Sequence, residues 1–566
     1  MKHIKRIAAL VLALAMSMSL AACGKTGSTS QSGGEQITLT IGIPNKVNVL
    51  DWKDNAFTKW LEEQTGYNLE FQHFASNTNE AKSQLTTMMA GGEKLPDLIL
   101  NLGLWPEERD QFGDEGYFVD LNTYFKDDEF MAAYDWNEDF EKNLSEDMKQ
   151  RIKVQCYDIE GRMFAFPKVM CYAGDTPQHG VYINQAWLDE LGLDMPTNLD
   201  ELMEVATAFM TQDPNGNGVA DEIPMLSRIS AGTGSNVIQW IVENYSLGTL
   251  HFYGVNSDEK IYLPWQEDEY REGMKKVREF YDAGLIPELC WTMADNSELA
   301  AITSPADGVA KVGVIFATAA NWAQNNTELL DDYVGLLPFD GSYAYANQVT
   351  LTPSANFITT DCEHPEAAMD LLLTIASPEG VARQRYGVPE VDWVWARDYD
   401  TGVKGQKILN TEAFTGQTKQ TWGQETVRLT WFTFPEEEDV KDITPAFSVM
   451  EEKPEERSWA NRRSSLHRNY GMAYVEKYNN NGKDKHKLEF TPLFTLEEAA
   501  ELTALEYPLI DLYKEMNAKF ATGEADIYND AVWAKYLADA KQMGAERCRE
   551  IQQVGYDRTM ELAAQN

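Results

Sequence analysis

Between Asp213 and Pro224 the chain reads DPNGNGVADEIP, with oxygen-bearing side chains at alternate positions and Gly218 where the loop must turn. Hard oxygen ligands so spaced suit Ca²⁺, which takes about six to eight oxygens at roughly 2.3–2.6 Å and tolerates irregular geometry. Asp213 supplies a carboxylate, Asn215 and Asn217 supply amide oxygens, and Gly218 lets the backbone carbonyl of Val219 point inward, after which Asp221 and Glu222 close the shell. The pattern starts as an EF-hand loop does, but Pro224 stands where an EF-hand places its bidentate glutamate. Glu222 arrives two residues early, so a turn is expected after the loop and not a second EF helix. Asp-Pro-Asn-Gly is also sound turn chemistry without an ion. Five side-chain ligands within ten residues favour calcium, as a structural rivet. No open coordination position or nearby catalytic histidine argues for metal-assisted chemistry.

Other chemistry leaves no comparable trace. There is neither a G-x-S-x-G nucleophile elbow nor an H-E-x-x-H zinc motif, and the seven histidines are scattered. With 90 Asp and Glu residues, pairs at the ~5–9.5 Å separation of a glycosidase are always available, and nothing singles one out. The formal charge of −42 argues against nucleic acid, because a phosphate-reading surface needs a cationic field. Setting Cys23 aside, the remaining cysteines are Cys156, Cys171, Cys290, Cys362 and Cys548. An odd number at wide spacing forms neither a disulfide framework nor a CxxC site, and buried free thiols are expected.

The elements that must carry these residues follow from periodicity. ITLTIGI alternates as a strand, and DNAFTKWLEEQTG follows as a helix with Phe57, Trp60 and Leu61 on one face and Gly66 as its C-cap. NLEFQHF, NEAKSQLTTMMAGG and LPDLIL continue as strand, helix and short strand. Such alternation implies a mainly parallel sheet, with ligands at the C-terminal ends of its strands. PTNLDELMEVATAFM begins with a weak capping box, Thr197 three residues before Asp200, and EYREGMKKVREFYDAG ends at Gly284. Their apolar stripes, like Trp60 and Trp187, belong to cores. The last seventy residues look helical throughout, and no repeat of fixed period is present.

The N-terminus sets the compartment. Lys2, Lys5 and Arg6 precede an apolar run from Ile7 to Leu20, and Leu20-Ala21-Ala22-Cys23 resembles the lipobox of bacterial lipoproteins. Residues 1–22 are read as a signal peptide, Cys23 as the lipidated first mature residue and 23–36, rich in Gly and Ser, as a flexible tether. That places the protein on the outer face of a bacterial plasma membrane, held by lipid. No later segment is apolar for long enough to cross a bilayer.

The order of lipobox, WLEEQTG, LPDLIL, YINQAWLDELGLDMPTNLDELMEVATAF, DPNGNGVADEIP, ASPEGVARQRYG and KFATGEADI with a late GYDR resembles the extracellular solute-binding proteins of carbohydrate ABC transporters. The larger subgroup with the LplA-type lipoproteins and the alginate-oligosaccharide binders is the most similar. The resemblance implies an α/β, two-lobed, periplasmic-binding-protein-like fold with a hinge and an interlobe ligand cleft. It also implies one structural calcium ion on Asp213, Asn215, Asn217, the Val219 carbonyl, Asp221 and Glu222. The expected lobes are 37–165 with 311–360, and 166–310 with 361–566. The implied function is capture of a mono- or oligosaccharide by lobe closure and its delivery to an ABC permease, by a monomer that is not an enzyme. A lipid-anchored glycoside hydrolase and a peptide-binding receptor are the rival readings. Related chains often read Tyr-Gly-x-Glu-Gly, whereas Tyr386-Gly387 here runs into Val388-Pro389-Glu390, so the sugar site does not transfer residue by residue.

Sugar rings stack their C–H faces on aromatic side chains and offer hydroxyls to amides and carboxylates. Aromatic and polar residues in turn-rich settings are therefore the cleft candidates: Asn45, Asn101, Trp105, Trp240, Trp322, Tyr345, Trp393 and Trp395. The excess of acidic residues tilts the expectation toward neutral glycans.

Overall fold

A computed structural model describes residues 36–125, 154–171, 180–229, 236–247, 252–293, 295–317, 322–323, 328–343, 349–397, 399, 404–410, 417–423, 428–430, 453–457, 459–478 and 492–565. Cys23, with residues 1–35 of the expected signal peptide and tether, and Tyr345 lie outside them.

The chain opens as the periodicity requires. Strand β1 (Thr38–Pro44) is followed by helix α1 (Ala56–Thr65), β2 (Asn68–Phe74), α2 (Thr78–Gly91), β3 (Leu98–Ile99) and α3 (Pro106–Asp114). Asn55 caps α1 by accepting from the Phe57 N–H, and Gly66 closes it with φ 76°. Gly42 is needed inside β1, since a Cβ there would stand 2.7 Å from the Phe74 ring and 2.9 Å from Pro96. Parallel to β1 on its two sides run β2 and β3.

Next come β4 (Phe166–Cys171), β5 (Val181–Asn184), α4 (Gln185–Leu191), α5 (Leu199–Thr211), β6 (Ile223–Ser227) and α6 (Val237–Val242). A small hairpin of β7 (Gly254–Val255) and β8 (Ile261–Tyr262) precedes α7 (Asp268–Asp282), β9 (Val312–Phe316), β10 (Tyr333–Gly335) and β11 (Val349–Ile358). Then follow α8 (Pro365–Ala376), α9 (Pro378–Tyr386), a hairpin of β12 (Trp393–Arg397) and β13 (Lys404–Ile408), and β14 (Arg428–Thr430). Four helices close the chain, α10 (Trp459–Tyr478), α11 (Leu496–Thr522), α12 (Asp530–Gln542) and α13 (Ala545–Gln565).

Two larger sheets result, one ordered β14-β4-β11-β3-β1-β2 and the other β10-β5-β9-β6. Both are mainly parallel, as the alternation implies, but each holds one reversed strand: β11 runs antiparallel to β3 and β4, and β5 runs antiparallel to β9 and β10. Each sheet has its own apolar core. Leu85, Leu104, Phe118 and Phe357 belong to the first, while the second gathers Tyr182, Phe209, Trp240, Trp265 and Phe316 with Tyr474, Phe520 and Tyr536 from the closing helices.

The expected lobe boundaries need correction. Within 311–360, β9 and β10 pair in the four-stranded sheet and only β11 joins the six-stranded one. Within 361–566, α8 and α9 pack on α1, and β14 pairs with β4. Ala56 N–H donates to the Lys419 carbonyl at 2.7 Å and Trp422 Nε1 to Thr58 Oγ1 at 2.9 Å, which tie these late residues to the first sheet's side. Strand patterns locate strands but do not choose partners, and these partners are far apart in sequence.

Candidate ligand edge and metal loop

Helix α5 aims the Asp213–Glu222 loop. Its N-cap is Asn198, whose side chain accepts from the Glu201 N–H, while the Glu201 carboxylate accepts from Thr197 N–H and Oγ1. The cap thus lies one residue beyond the expected Thr197–Asp200 box. Leu199, Leu202, Val205, Ala206 and Phe209 are buried, so the helix is fixed where the loop begins.

Asp213, Gly216 and Gly218 all take left-handed backbone, with φ of 50°, 67° and 72°, which coils the loop tightly. The Asp213 carboxylate accepts from the N–H groups of Asn217 (3.1 Å) and Gly218 (3.0 Å). Asn215 and Asn217 amide oxygens accept from the Asn217 and Val219 N–H groups at 3.0 and 2.7 Å. Asp221 accepts from Asn217 Nδ2 at 3.0 Å and from Lys311 Nζ at 2.8 Å, and the latter bond is the first cause of its lowered pKa. Glu222 is 9% exposed, and its Oε1 is buried without a donor. Burial first, then the charges of Asp213 and Asp221, push its pKa up. Among the described residues no three His, Cys, Asp or Glu side chains converge as a preformed metal centre. The donor set is nonetheless all oxygen, and the orphaned Glu222 oxygen beside two further carboxylates fits a hard cation.

At the first sheet, three expected residues come to one edge. The β1–β3 register sets Gly42 against Ile99, which brings Asn45 and Asn101 to neighbouring C-terminal strand ends. Asn45 is exposed, and Ser76 Oγ donates to its carbonyl at 2.8 Å. Asn101 takes φ 56°; its N–H donates to Asn356 Oδ1 at 2.9 Å and its Oδ1 accepts from Lys168 Nζ at 3.3 Å. Trp105, 66% exposed, stands at the start of α3, with Lys82 Nζ 5.0 Å from its ring centroid. Helix α3 is a rigid mount, because the buried guanidinium of Arg109 donates to the carbonyls of Gln155, Cys156 and Tyr157.

The other tryptophans are elsewhere. Trp240 is 1% exposed and packs edge-on against Phe316 and Phe339, at 5.7 and 5.1 Å between centroids. Trp322 is fully buried on Tyr182 and Tyr333. Both are core of the second sheet and not sugar platforms, which corrects the expectation. Trp393 is buried as well, its Nε1 donating to the Gly387 carbonyl at 3.2 Å, and Trp395 is half-buried against it. Lys168 and Asn356 were missed; the signal for Asn356 was the alternation of Thr350, Thr352, Ser354 and Asn356 with apolar residues along β11, where Ser354 and Asn356 are fully buried. The expected buried thiols are found at Cys156, Cys290 and Cys548, with Cys362 partly covered.

The sequence profile described as bacterial extracellular solute-binding protein matches residues 46–382, more than half of the chain. This chain belongs to that family. The solute-binding protein is 28% identical over 348 residues to the fructooligosaccharide ABC transporter substrate-binding protein FusA of Streptococcus pneumoniae, across 58% of this chain and 60% of FusA. It is 26% identical over 272 residues to lipoprotein LipO of Bacillus subtilis, across 48% and 49% of the two. The matches thus span about half to three-fifths of these relatives. In three dimensions it resembles an HMO-binding, ABC-transporter-associated solute-binding protein from Bifidobacterium longum infantis, with TM-score 0.70 at 19% identity over 93% of this chain and 99% of that one. FusA in complex with kestose gives TM-score 0.63 at 20% identity over 93% and 99%. FusA has also been solved as an EF-hand mutant. These likenesses establish the α/β solute-binding-protein fold. Among the described residues no helix is long and apolar enough to cross a membrane.

Proposed function

We propose that this solute-binding protein captures a neutral mono- or oligosaccharide outside the cell and presents it to an ABC importer permease, without catalysis. The observation that carries the reading is the family match over residues 46–382, whose nearby relative FusA is named for fructooligosaccharide transport. The two sheets with separate cores are read as two lobes, 38–171 with 349–430 and 180–335 with 453–565. The ligand would lie at the C-terminal strand ends, where Asn45 and Asn101 stand, and extend toward Trp105 at the start of α3, as is usual for open α/β sheets. Closure of the lobes over it gives the permease different surfaces for loaded and empty protein. A calcium ion would be held by Asp213, Asn215, Asn217, the Val219 carbonyl, Asp221 and Glu222, and would supply a structural cross-link between α5 and β6. Cys23 would carry the lipid that keeps the protein at the membrane, and the working form is a monomer.

The test is thermal unfolding of the chain beginning after Cys23 against kestose, nystose, malto-, xylo- and manno-oligosaccharides, uronate oligosaccharides and short peptides. A ligand that binds only the folded state raises the midpoint by mass action. A shift with one neutral glycan class and no product formed supports the proposal. A shift with peptides alone, or turnover of a glycan, defeats it.

A further inference from the structure

The solvent side of α2 carries short polar side chains at helical spacing. Asn79, Ser83, Thr86 and Thr87, with Lys82 and with Glu108 of α3, line a groove of about 790 Å³. The hydroxyls of Ser83, Thr86 and Thr87 donate to the carbonyls four residues back, at 2.9, 3.0 and 2.8 Å. Their donor hydrogens are thus engaged within the helix, while the oxygens keep lone pairs as acceptors. Lys82 and Glu108 pair at 2.7 Å, which leaves this wall without net charge.

Trp105 stands beside the groove. Its backbone N–H donates to Glu108 Oε2 at 2.8 Å, and Lys82 lies over its ring. Among the described residues it is the only exposed tryptophan. An indole left in water forgoes the hydrophobic stabilisation that a stacked partner would supply. The groove begins at the strand-end edge, since α2 starts just past the end of β2 and Trp105 follows β3. From Asn79 to Gly91 it runs roughly 18 Å along the helix, room for several sugar units. An uncharged wall of acceptors next to an exposed aromatic face suits a neutral polyhydroxylated chain better than a phosphate, a uronate or an apolar peptide.

We propose that Trp105 and the α2 groove form an outer subsite for the distal units of a neutral oligosaccharide whose leading unit sits at the strand-end edge, so that the protein selects for chain length. This rests on the glycan-binding reading above.

The experiment is calorimetric titration of the wild-type chain, Trp105→Ala and Thr87→Arg with disaccharide-to-hexasaccharide series of inulin-type, malto-, xylo- and manno-oligosaccharides. Thr87→Arg fills the groove without touching the ring and lies on an exposed helical face, so it guards against a local effect at α3. In the wild type the longest member of the recognised series binds more tightly than the shortest, and in both variants that ratio falls by roughly tenfold, the scale of losing one well-packed contact. A wild type that binds all lengths alike, or variants that weaken every length equally or none, overturns the outer subsite and leaves the transport reading standing. If no series binds the wild type, the glycan reading fails and the subsite fails with it.

Discussion

Replacing Glu222 with glutamine is expected to change stability in opposite directions with and without calcium. In chelator Glu222 is a carboxylate with 9% exposure, an Oε1 lacking any donor and two carboxylates as neighbours. A buried acceptor left unpaired costs about 1–3 kcal/mol. A neutral amide of the same shape relieves part of that, so E222Q is expected to gain about 1 kcal/mol in chelator. With calcium the same oxygen is a ligand. A site filled at about a hundred times its Kd adds ~2.7 kcal/mol to the folded state. Removing one of three carboxylates weakens the ion by roughly ten- to a hundredfold, or ~1.4–2.7 kcal/mol. At ~2–4 °C per kcal/mol, calcium raises the wild-type Tm by roughly 5–10 °C and that of E222Q by less than half as much, while chelated E222Q melts a few degrees above chelated wild type. Circular-dichroism melts in millimolar calcium and in EDTA read all four values. Equal wild-type melting in both buffers, or a substitution effect of the same sign in both, would refute the metal argument.

Trp240→Ala and Trp322→Ala should each cost about 3–5 kcal/mol, seen as lower denaturation midpoints; an unchanged midpoint with lost glycan binding would return these residues to the cleft. Asn101→Gly should be near neutral for stability and Asn101→Ala should cost about 1–2 kcal/mol, because φ 56° strains a Cβ; equal midpoints would show that strain is absent. Glu506 on α11 accepts from Tyr253 Oη at 2.6 Å and Gln552 Nε2 at 3.3 Å, and α11 packs on α3, which brings Glu107 near. Burial raises its pKa above the ordinary 4.5, so its contribution to stability is present below that value and is lost as pH rises through the raised one. Glu506→Gln should flatten this part of the Tm–pH curve, and an unaltered slope in the variant would contradict the assignment.

What could be read in the sequence was local. The order from β1 to β3, the αL cap at Gly66 and the burial of Trp60 and Trp187 each depend on a few neighbouring residues. Asn45, Asn101 and Trp105 could be placed because short strands end just before them. Trp240 is core although polar Gln239 precedes it, because Gln239 is itself fully buried and donates to Glu243 at 2.8 Å. Trp322 becomes core only when β5 and β10 bring Tyr182 and Tyr333 to it, and no spacing along the chain announces that. The same non-local pairing moved β9 and β10 to the second sheet. In the loop the oxygen-bearing side chains were plain from spacing, whereas Lys311 on Asp221 comes from just before β9, ninety residues away.

The place of β11 between β4 and β3 has a consequence for synthesis. All four strands of the second sheet lie between residues 181 and 335, but the first sheet cannot join its halves until Val349–Ile358 has emerged. About 260 residues separate β3 from its β11 partner, a delay of roughly 10–50 s at ordinary elongation rates. Until then β3 presents one bare edge and β4, whose partners β11 and β14 both come later, presents two, so this half of the molecule stays exposed longer than the second sheet, whose β5 and β6 wait only for β9 and β10. A chain terminated before Val349 would be expected to aggregate through those edges, even with every residue of the four-stranded sheet present.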